Sequence, residues 1–301
     1  MLFNSTDAGP LPPTTTISCK VAENLERQGV RLPDNRVIYQ GIPIEQFPLK
    51  EEPGALSALT KLLYVGQLHP YKGVHRLLEA VALVKHPVTL SVAGDGPEDY
   101  KAHLLKLAEG IDVKVTFRGR LPHSQLPALY REHDIFIFPS IWEEPFGLTH
   151  LEAMASGLPV ISTVNGGQGE FLNHQQNCLA IQPDDTESIR QALERLIEEP
   201  ELAASLAKAG RRTVEERFTT GRYIDELEEL LILLRRVHGE LGVTTLLATR
   251  DAGFAYSVGG VMHICEGRVV SELVRRVAFS RGEGERMEEL AVVDGDGRPH
   301  V

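Results

Sequence analysis

Residues 133–163, HDIFIFPSIWEEPFGLTHLEAMASGLPVIST, decide the fold. The stretch opens with an apolar run at 135–138, breaks at Pro and Gly, resumes with helically spaced apolar residues over 148–156 and ends in a second apolar run at 160–163. Short continuous apolar runs between turn residues are typical of strands buried on both faces. A helix between two such runs predicts a β-α-β unit with parallel strands.

The same alternation extends upstream of this unit. The further strands and helices predicted there, in chain order, cover residues 62–65, 74–84, 88–93, 98–108, 113–117 and 126–132. Strands that alternate with helices of this length predict an α/β fold, a doubly wound parallel sheet of Rossmann-like type. We expect this domain to run from about residue 60 to about residue 218.

The flanking segments have a different texture. Upstream, residues 1–16 are rich in Pro and Thr and are expected to form an irregular leader, followed by a helix over 17–29 and a strand over 36–39. Three helices are predicted downstream of the sheet. They cover residues 185–197, 202–216 and 222–236.

The last part of the chain is expected to form a small α/β extension. Strands are predicted at 243–249 and 261–264, and the charged, Gly-rich segment 280–301 is expected to fray. The predicted organisation is an N-terminal segment (1–36), a doubly wound α/β domain (37–237) and the extension (238–301).

Composition narrows the range of functions. The 301 residues include 31 basic and 42 acidic side chains, a net charge of −11 that repels phosphate backbones and argues against a nucleic-acid partner. Three widely spaced cysteines suggest neither a disulfide framework nor a metal site. Because the chain has no bilayer-length apolar run and no basic-apolar leader, we expect a cytoplasmic protein, at most attached to a membrane through a partner.

The first candidate site is Gly66–Gly73, GQLHPYKG, which lies between a predicted strand and a predicted helix. In open α/β sheets, ligands bind beyond the carboxyl ends of strands, where a helix N-terminus offers N–H groups to a phosphate. Lys72 would add a cation there. The alternative is a solvated lysine at the start of a helix, and this octapeptide favours neither.

The second candidate site is the EEPFGLTHLEA segment at 143–153. Pro145 and Gly147 precede a helix, so Glu144 falls on the loop and Glu152 on the second helical turn. The turn offers N–H groups to a diphosphate, and a carboxylate beside it can accept two hydrogen bonds from sugar hydroxyls. The alternative is that one of the two glutamates is an ordinary surface charge.

Several weaker patterns accompany these sites. NGGQGE at 165–170 allows close backbone approach to a ligand but is also a common turn, and GDGP at 94–97 is interpreted as a structural turn because it lacks a third glycine. His69, His75 and His150 could approach the cleft, but none is assigned a catalytic role.

Taken together and in order, these segments resemble the C-terminal, donor-binding half of a glycosyltransferase family 4 enzyme of the GT-B fold. The resemblance covers roughly residues 37–236 and rests on GIPIEQF, VGQLHPYKG, VAGDGPE, FRGRLP, HDIFIFPS and EPFGLTHLEAMASGLPVIST followed by GGQGE. Glu144 and Glu152 match the E-x7-E signature of that family.

The resemblance implies a role for each matching residue. Lys72 is implied to hold the nucleotide diphosphate, Glu152 the ribose hydroxyls and Glu144 the transferred sugar. The backbone N–H groups near Phe146, Gly147 and Leu148 are implied to help bind phosphate and sugar. Arg118 and Gly119 are implied to lie near the nucleobase.

One position departs from the family pattern. Gln67 stands where family members usually carry an Arg that serves as a second phosphate cation. Because Gln donates hydrogen bonds but cannot neutralise charge, either Arg118, Arg120 or His69 compensates or the donor binds more weakly.

The resemblance also implies a reaction. It is hexosyl transfer with retention from a UDP-, GDP- or ADP-sugar, without a required metal, in carbohydrate biosynthesis. The leaving diphosphate, stabilised by Lys72 and N–H dipoles, can itself accept the proton of the incoming hydroxyl.

The acceptor-binding N-terminal domain of that family has only a short counterpart before residue 37. This leaves three hypotheses open: a transferase that is weakly active alone or acts with a separate acceptor domain, a truncated sugar-nucleotide-binding module without turnover, and self-association through the uncovered face and the 222–236 helix. Residues 242–272 show a weaker resemblance to the end of an ABC-transporter ATPase subunit, but no phosphate-binding GxxxxGK[ST] loop occurs in the chain.

Overall fold

A computed structural model describes residues 14–32 and 34–241, together with four short strands between 260 and 300. Side chains are described for 14–32, 34–230 and 232. The chain divides into two compact units, residues 1–226 and 227–301.

The first described segment is a small β-α-β unit. Strand β1 (Thr14–Thr16) pairs in parallel with β2 (Asn35–Val37), and helix α1 (Cys19–Arg27) connects them. Ser18 caps α1 by accepting a hydrogen bond from the Val21 N–H. The expected irregular leader is therefore wrong for the three threonines, whose branched side chains suit a paired strand. Residues 1–13 lie outside the described part.

A six-stranded parallel sheet forms the centre of the first unit, and the sequence predicts five of its strands. Its strands are β3 (Thr60–Val65), β4 (Val88–Ala93), β5 (Lys114–Gly119), β6 (Ile135–Phe138), β7 (Val160–Thr163) and β8 (Leu179–Ile181). The strand order is β5-β4-β3-β6-β7-β8. From β3 the chain adds strands first on one side of the sheet and then, from β6 onward, on the other, so the order of connection reverses between β3 and β6. The crevice at such a reversal is where open α/β sheets bind ligands.

Helices follow the strands and cover the sheet. They are α2 (Val74–Val81), α3 (Glu98–Glu109), α4 (Leu126–Arg131), α5 (Leu148–Ala155), α6 (Thr186–Glu198) and α7 (Pro200–Arg217). A further helix, α8 (Thr220–Leu241), follows them. Asp185 caps α6, and Pro200 begins α7 at its first position, so both starts follow ordinary helix-start chemistry.

The core of this unit lies on both faces of the sheet. Leu62, Leu63, Phe136 and Ile161 on its central strands are fully buried. Burial on both faces explains the consecutive apolar residues in these strands, LLYV in β3, IFIF in β6 and VI in β7. Strand β8 was not predicted, because three residues are too short a run to separate from a loop.

The described strands of the second unit form a four-stranded antiparallel sheet in the order β12-β11-β10-β9. They are β9 (Gly260–Cys265), β10 (Arg268–Val274), β11 (Val292–Asp294) and β12 (Pro299–His300). The strand predicted at 261–264 is confirmed, whereas fraying over 280–301 is wrong for β11 and β12. The strand predicted at 243–249 lies outside the described residues. Among the described helices, none is long and apolar enough to cross a bilayer.

Candidate functional site

Lys72 lies in the turn that follows β3. A short 3-10 turn, Pro70–Lys72, ends at Gly73, which also caps the start of α2. Gly73 has a φ of 72°. An L side chain rarely adopts this φ, and a β-carbon on Gly73 would lie 2.0 Å from the Pro139 carbonyl oxygen. The turn therefore packs directly against the loop after β6 and holds Lys72 between the two central strands.

Lys72 is buried rather than solvated, with 7% of its surface exposed. Its Nζ lies 2.6 and 2.7 Å from the two carboxylate oxygens of Glu144, which is 6% exposed and also accepts a 2.5 Å hydrogen bond from the Ser140 hydroxyl. The solvated-lysine alternative is therefore wrong. A buried ion pair of this kind persists only where each charge is compensated.

Three aromatic rings surround the same ammonium group. Nζ of Lys72 lies 5.5 Å from the ring centre of Tyr71, 5.7 Å from that of Phe138 and 5.4 Å from that of Trp142. Ring faces carry negative partial charge and attract a cation at this range. The groups around Lys72 Nζ therefore stabilise a positive charge at this position.

Glu152 lies on the second turn of α5 and is 5% exposed. Its carboxylate accepts a 2.8 Å hydrogen bond from the Tyr130 hydroxyl, and His123 Nε2 lies 3.2 Å away. Burial raises the pKa of this carboxyl above its usual value, against the opposing effects of Tyr130 and His123. Because both glutamates of the signature are buried, the surface-charge alternative is wrong for each.

The start of α5 separates these two carboxylates. Gly147 has a φ of 119°, and Leu148 begins the helix. The Phe146 side chain is buried and stacks on Tyr39 at 5.8 Å, so only its backbone is placed for a ligand. The N-terminus of α5 follows β6 and therefore lies at the reversal of strand order, where its N–H groups favour an anion.

The glycines of NGGQGE bring a second loop against Glu144. A β-carbon on Gly166 would lie 2.2 Å from the Glu144 backbone nitrogen, and one on Gly167 would lie 2.1 Å from the Pro145 carbonyl oxygen. The Gly167 N–H donates to the Glu144 carbonyl at 2.6 Å. These glycines therefore support the loop that carries Glu144 by close backbone packing.

Helix α1 contacts the same loops, and the sequence does not predict these contacts. Ser18 Oγ donates to the Pro145 carbonyl at 2.6 Å, and the Glu170 carboxylate accepts from the Cys19 and Lys20 N–H groups at 3.1 and 3.0 Å. Tyr39 also donates to Glu170, at 2.8 Å. No local sequence pattern predicts these contacts, because the partners are more than a hundred residues apart.

A cavity of about 620 Å³ lies at the carboxyl ends of β3, β4 and β5. Gln67, His69 and Arg120 line it together with the turn at 94–97 that was interpreted as structural. Its volume lies within the range of small-ligand pockets. Arg118 and Gly119 are exposed at the end of β5 and do not line it.

His150 sits fully buried on the first turn of α5. Its Nε2 lies 2.8 Å from the Ser162 hydroxyl oxygen, which is also 2.8 Å from the Thr163 carbonyl and 3.2 Å from the Phe138 carbonyl. Nδ1 has no hydrogen-bond partner among the described residues. Burial lowers the pKa of His150 to about 3, and the Lys72 charge acts in the same direction.

His150 should make folding sensitive to acid. Between pH 6.5 and about pH 3 the unfolded chain binds a proton at this residue that the native state excludes. The free energy of unfolding therefore falls as the pH drops below 6.5, by about 1.4 kcal/mol per pH unit from this group. Urea denaturation over this range should show a shallower pH dependence for His150→Gln than for the unsubstituted chain. Equal slopes would contradict a neutral buried imidazole.

Comparison with known proteins identifies the family of the sheet domain. Residues 48–213, just over half of the chain, match the family described as Glycosyl transferases group 1. Glycogen synthase of Mycobacterium tuberculosis is 32% identical over 210 residues, which cover 67% of this chain and 50% of that protein. The chain spans about half the length of the curated relatives it matches.

Solved structures share the fold. Sucrose-phosphate synthase of Thermosynechococcus elongatus aligns with a TM-score of 0.68 at 26% identity, over 74% of this chain and 58% of that chain. HepE of Anabaena, solved with UDP and glucose, also aligns with a TM-score of 0.68, at 24% identity over 73% of this chain and 63% of that chain.

These matches confirm the resemblance seen in the sequence for the sheet domain. The tail's resemblance to an ATPase gains no support from the family match, which ends at residue 213. With its six-stranded parallel sheet and its matched residues, the chain belongs to the glycosyl transferases group 1 family.

Proposed function

We propose that this chain binds a nucleoside diphosphate sugar and transfers the sugar, with retention at the anomeric carbon, to an acceptor hydroxyl. The observation that carries the proposal is the buried Lys72–Glu144 pair at the reversal of strand order, beside the N-terminus of α5. A cation and an anion side by side match a ligand that carries a diphosphate next to hydroxyl groups.

In this proposal, the leaving diphosphate takes Lys72 as its counter-ion, and the N–H groups at 146–148 share its charge. Charge grows on this diphosphate as the glycosidic bond breaks, so fixed donors aimed at it stabilise the transition state more than the ground state. Glu144 then accepts hydrogen bonds from hydroxyls of the transferred sugar. A diphosphate oxygen accepts the proton of the incoming acceptor hydroxyl.

Glu152 is proposed to hold the ribose hydroxyls, and the cavity at β3–β5 to hold the rest of the nucleotide. Gln67 lines that cavity as a neutral donor, and Arg120 is the lining cation that can offset the missing Arg at position 67. Arg118 and Gly119 are left with backbone contacts at most. HepE, which shares the fold, was solved with UDP and glucose, and this supports a nucleoside diphosphate sugar as the class of ligand.

Binding of donor nucleotides tests the proposal. We expect isothermal calorimetry to detect at least one of the UDP-, GDP- and ADP-sugars, and Lys72→Gln to weaken that binding about 10- to 100-fold, the value of one lost charged hydrogen-bonding partner. Lys106→Gln on the exposed side of α3 is the matched control and should bind as the unsubstituted chain does.

Two outcomes would change the assignment. Absence of binding by all three classes at millimolar concentration would exclude the proposed function. Binding without transfer to any acceptor, or transfer only after a separate acceptor domain or a second copy is added, would make the chain a donor-binding module. The anomeric configuration of the product, read by NMR, decides retention.

A further inference from the structure

Two exposed aromatic side chains flank the Lys72–Glu144 pair. Tyr71 is 38% exposed and Trp142 is 50% exposed. Tyr71 follows β3 and Trp142 follows β6, so both stand at the reversal of strand order. Single exposed apolar residues are common, but two large exposed rings beside a buried ion pair call for an explanation.

The backbone holds the two rings in place. The Ile141 and Trp142 N–H groups both donate to the Tyr71 carbonyl, at 2.8 and 3.1 Å. The rings lie at 73° to one another with centres 5.4 Å apart. A surface fixed in this way loses little conformational entropy when a ligand binds.

The inner sides of these rings are already occupied. His69 stacks on Tyr71 at 4.9 Å, and the Lys72 ammonium lies over the Trp142 ring at 5.4 Å. Since Trp142 is half exposed, an indole surface remains open toward solvent next to Glu144. Tyr71 therefore acts as the brace and Trp142 as the surface that a ligand can reach.

We propose that Trp142 is a stacking surface for a pyranose ring, an inference that rests on the proposed function. The C–H face of a pyranose is apolar and slightly positive, so it packs well on the electron-rich face of indole. The ring's hydroxyls point sideways and can reach charged neighbours such as Glu144. An apolar partner fits less well, because Trp142 is followed directly by two glutamates and adjoins a lysine.

The ring can belong either to the donor or to a saccharide acceptor, and fluorescence separates these sources. Trp142 is the single tryptophan of the chain, so indole emission reports on this position alone. A donor sugar should change the emission with UDP-glucose, GDP-mannose or ADP-glucose beyond the change given by the matching nucleoside diphosphate. An acceptor sugar should change it with methyl α-glucopyranoside or methyl α-mannopyranoside when the nucleoside diphosphate is present.

Substitution gives the matching affinity test. In calorimetry, Trp142→Ala should weaken the binding of the responding sugar about 2- to 10-fold beyond any change in the affinity for the nucleoside diphosphate, the worth of one aromatic stacking contact. Trp142→Phe keeps a ring and should retain part of the affinity. Leu105→Ala, an exposed apolar residue on α3, is the control and should change nothing.

The outcomes distinguish this inference from the proposed function. If a nucleoside diphosphate binds but no sugar alters the emission and Trp142→Ala binds every sugar normally, the stacking surface is wrong while donor binding stands. If no nucleotide binds, the proposed function is wrong, and a response to the free glycosides would still support the stacking surface. Silence toward nucleotides and glycosides alike overturns both.

Discussion

Replacing Lys72 with methionine should lower the free energy of unfolding by about 3–5 kcal/mol, which is the usual cost of leaving one member of a buried ion pair without its partner. Methionine keeps most of the lysine volume, so the loss comes from the charge. Glu144 would retain only the Ser140 hydroxyl as a hydrogen-bond partner among the groups that now compensate it. Urea denaturation at neutral pH measures the effect.

A double-mutant cycle separates the pair from the rest of the pocket. Glu144→Gln alone leaves an unpaired ammonium group and should also destabilise strongly, whereas Lys72→Met with Glu144→Gln should cost much less than the sum of the two. Lys101→Met is the control, since Lys101 pairs with the exposed carboxylates of Asp95 and Glu98 and its loss should matter far less. Additive effects for Lys72 and Glu144 would contradict a direct buried interaction.

Gly73→Ala should cost about 2–4 kcal/mol of unfolding free energy and weaken donor binding by up to the 10- to 100-fold expected for Lys72→Gln. Part of the cost is the positive φ of 72°, worth about 1 kcal/mol, and the rest is overpacking, because the new β-carbon would lie 2.0 Å from the Pro139 carbonyl oxygen. The backbone must move to relieve this contact, and Lys72 is the preceding residue. Denaturation measures the first effect, and calorimetry with the nucleotide sugar that binds the unsubstituted chain measures the second.

Gly29 provides the matched control for this substitution. Its φ is 87°, but nothing lies within 4 Å of a β-carbon built on it. Gly29→Ala should therefore cost only the backbone strain, about 1 kcal/mol, and leave donor binding intact. Similar losses for the two variants would mean that the turn after β3 can shift without cost, and that its contact with Pro139 does not position Lys72.

Most of the sheet domain could be predicted from local patterns. The bounds of β4, β6 and β7 match the predicted runs residue for residue. β6 (IFIF) is apolar throughout, and only Ser and Thr interrupt the apolar residues of β4 (VTLSVA) and β7 (VIST). Strands buried on both faces have this composition, so each could be recognised without knowledge of its neighbours. β1 and β8 escaped prediction because three residues carry too weak a pattern, and their pairing with β2 and β7 makes them strands.

The candidate site was only partly readable in the same way. Lys72, Glu144 and Glu152 were identified by motif, but the sequence left each with a surface alternative. Burial decides that question, and burial depends on segments 72 residues apart in the case of Lys72 and Glu144. The turn at 94–97 shows the opposite error: its pattern indicated structure alone, yet it lines the cavity.

What the sequence by itself determined is the alternation of strand and helix, the family resemblance and the residue types available for chemistry. Only the tertiary structure decided that Lys72 and Glu144 neutralise each other, that Glu170 caps α1 and that Trp142 stays exposed beside them. The physical reason is range. Periodicity and turn chemistry depend on residues close together in the sequence. Charge compensation and exposure depend on which distant loops the folded chain brings together at one edge of the sheet.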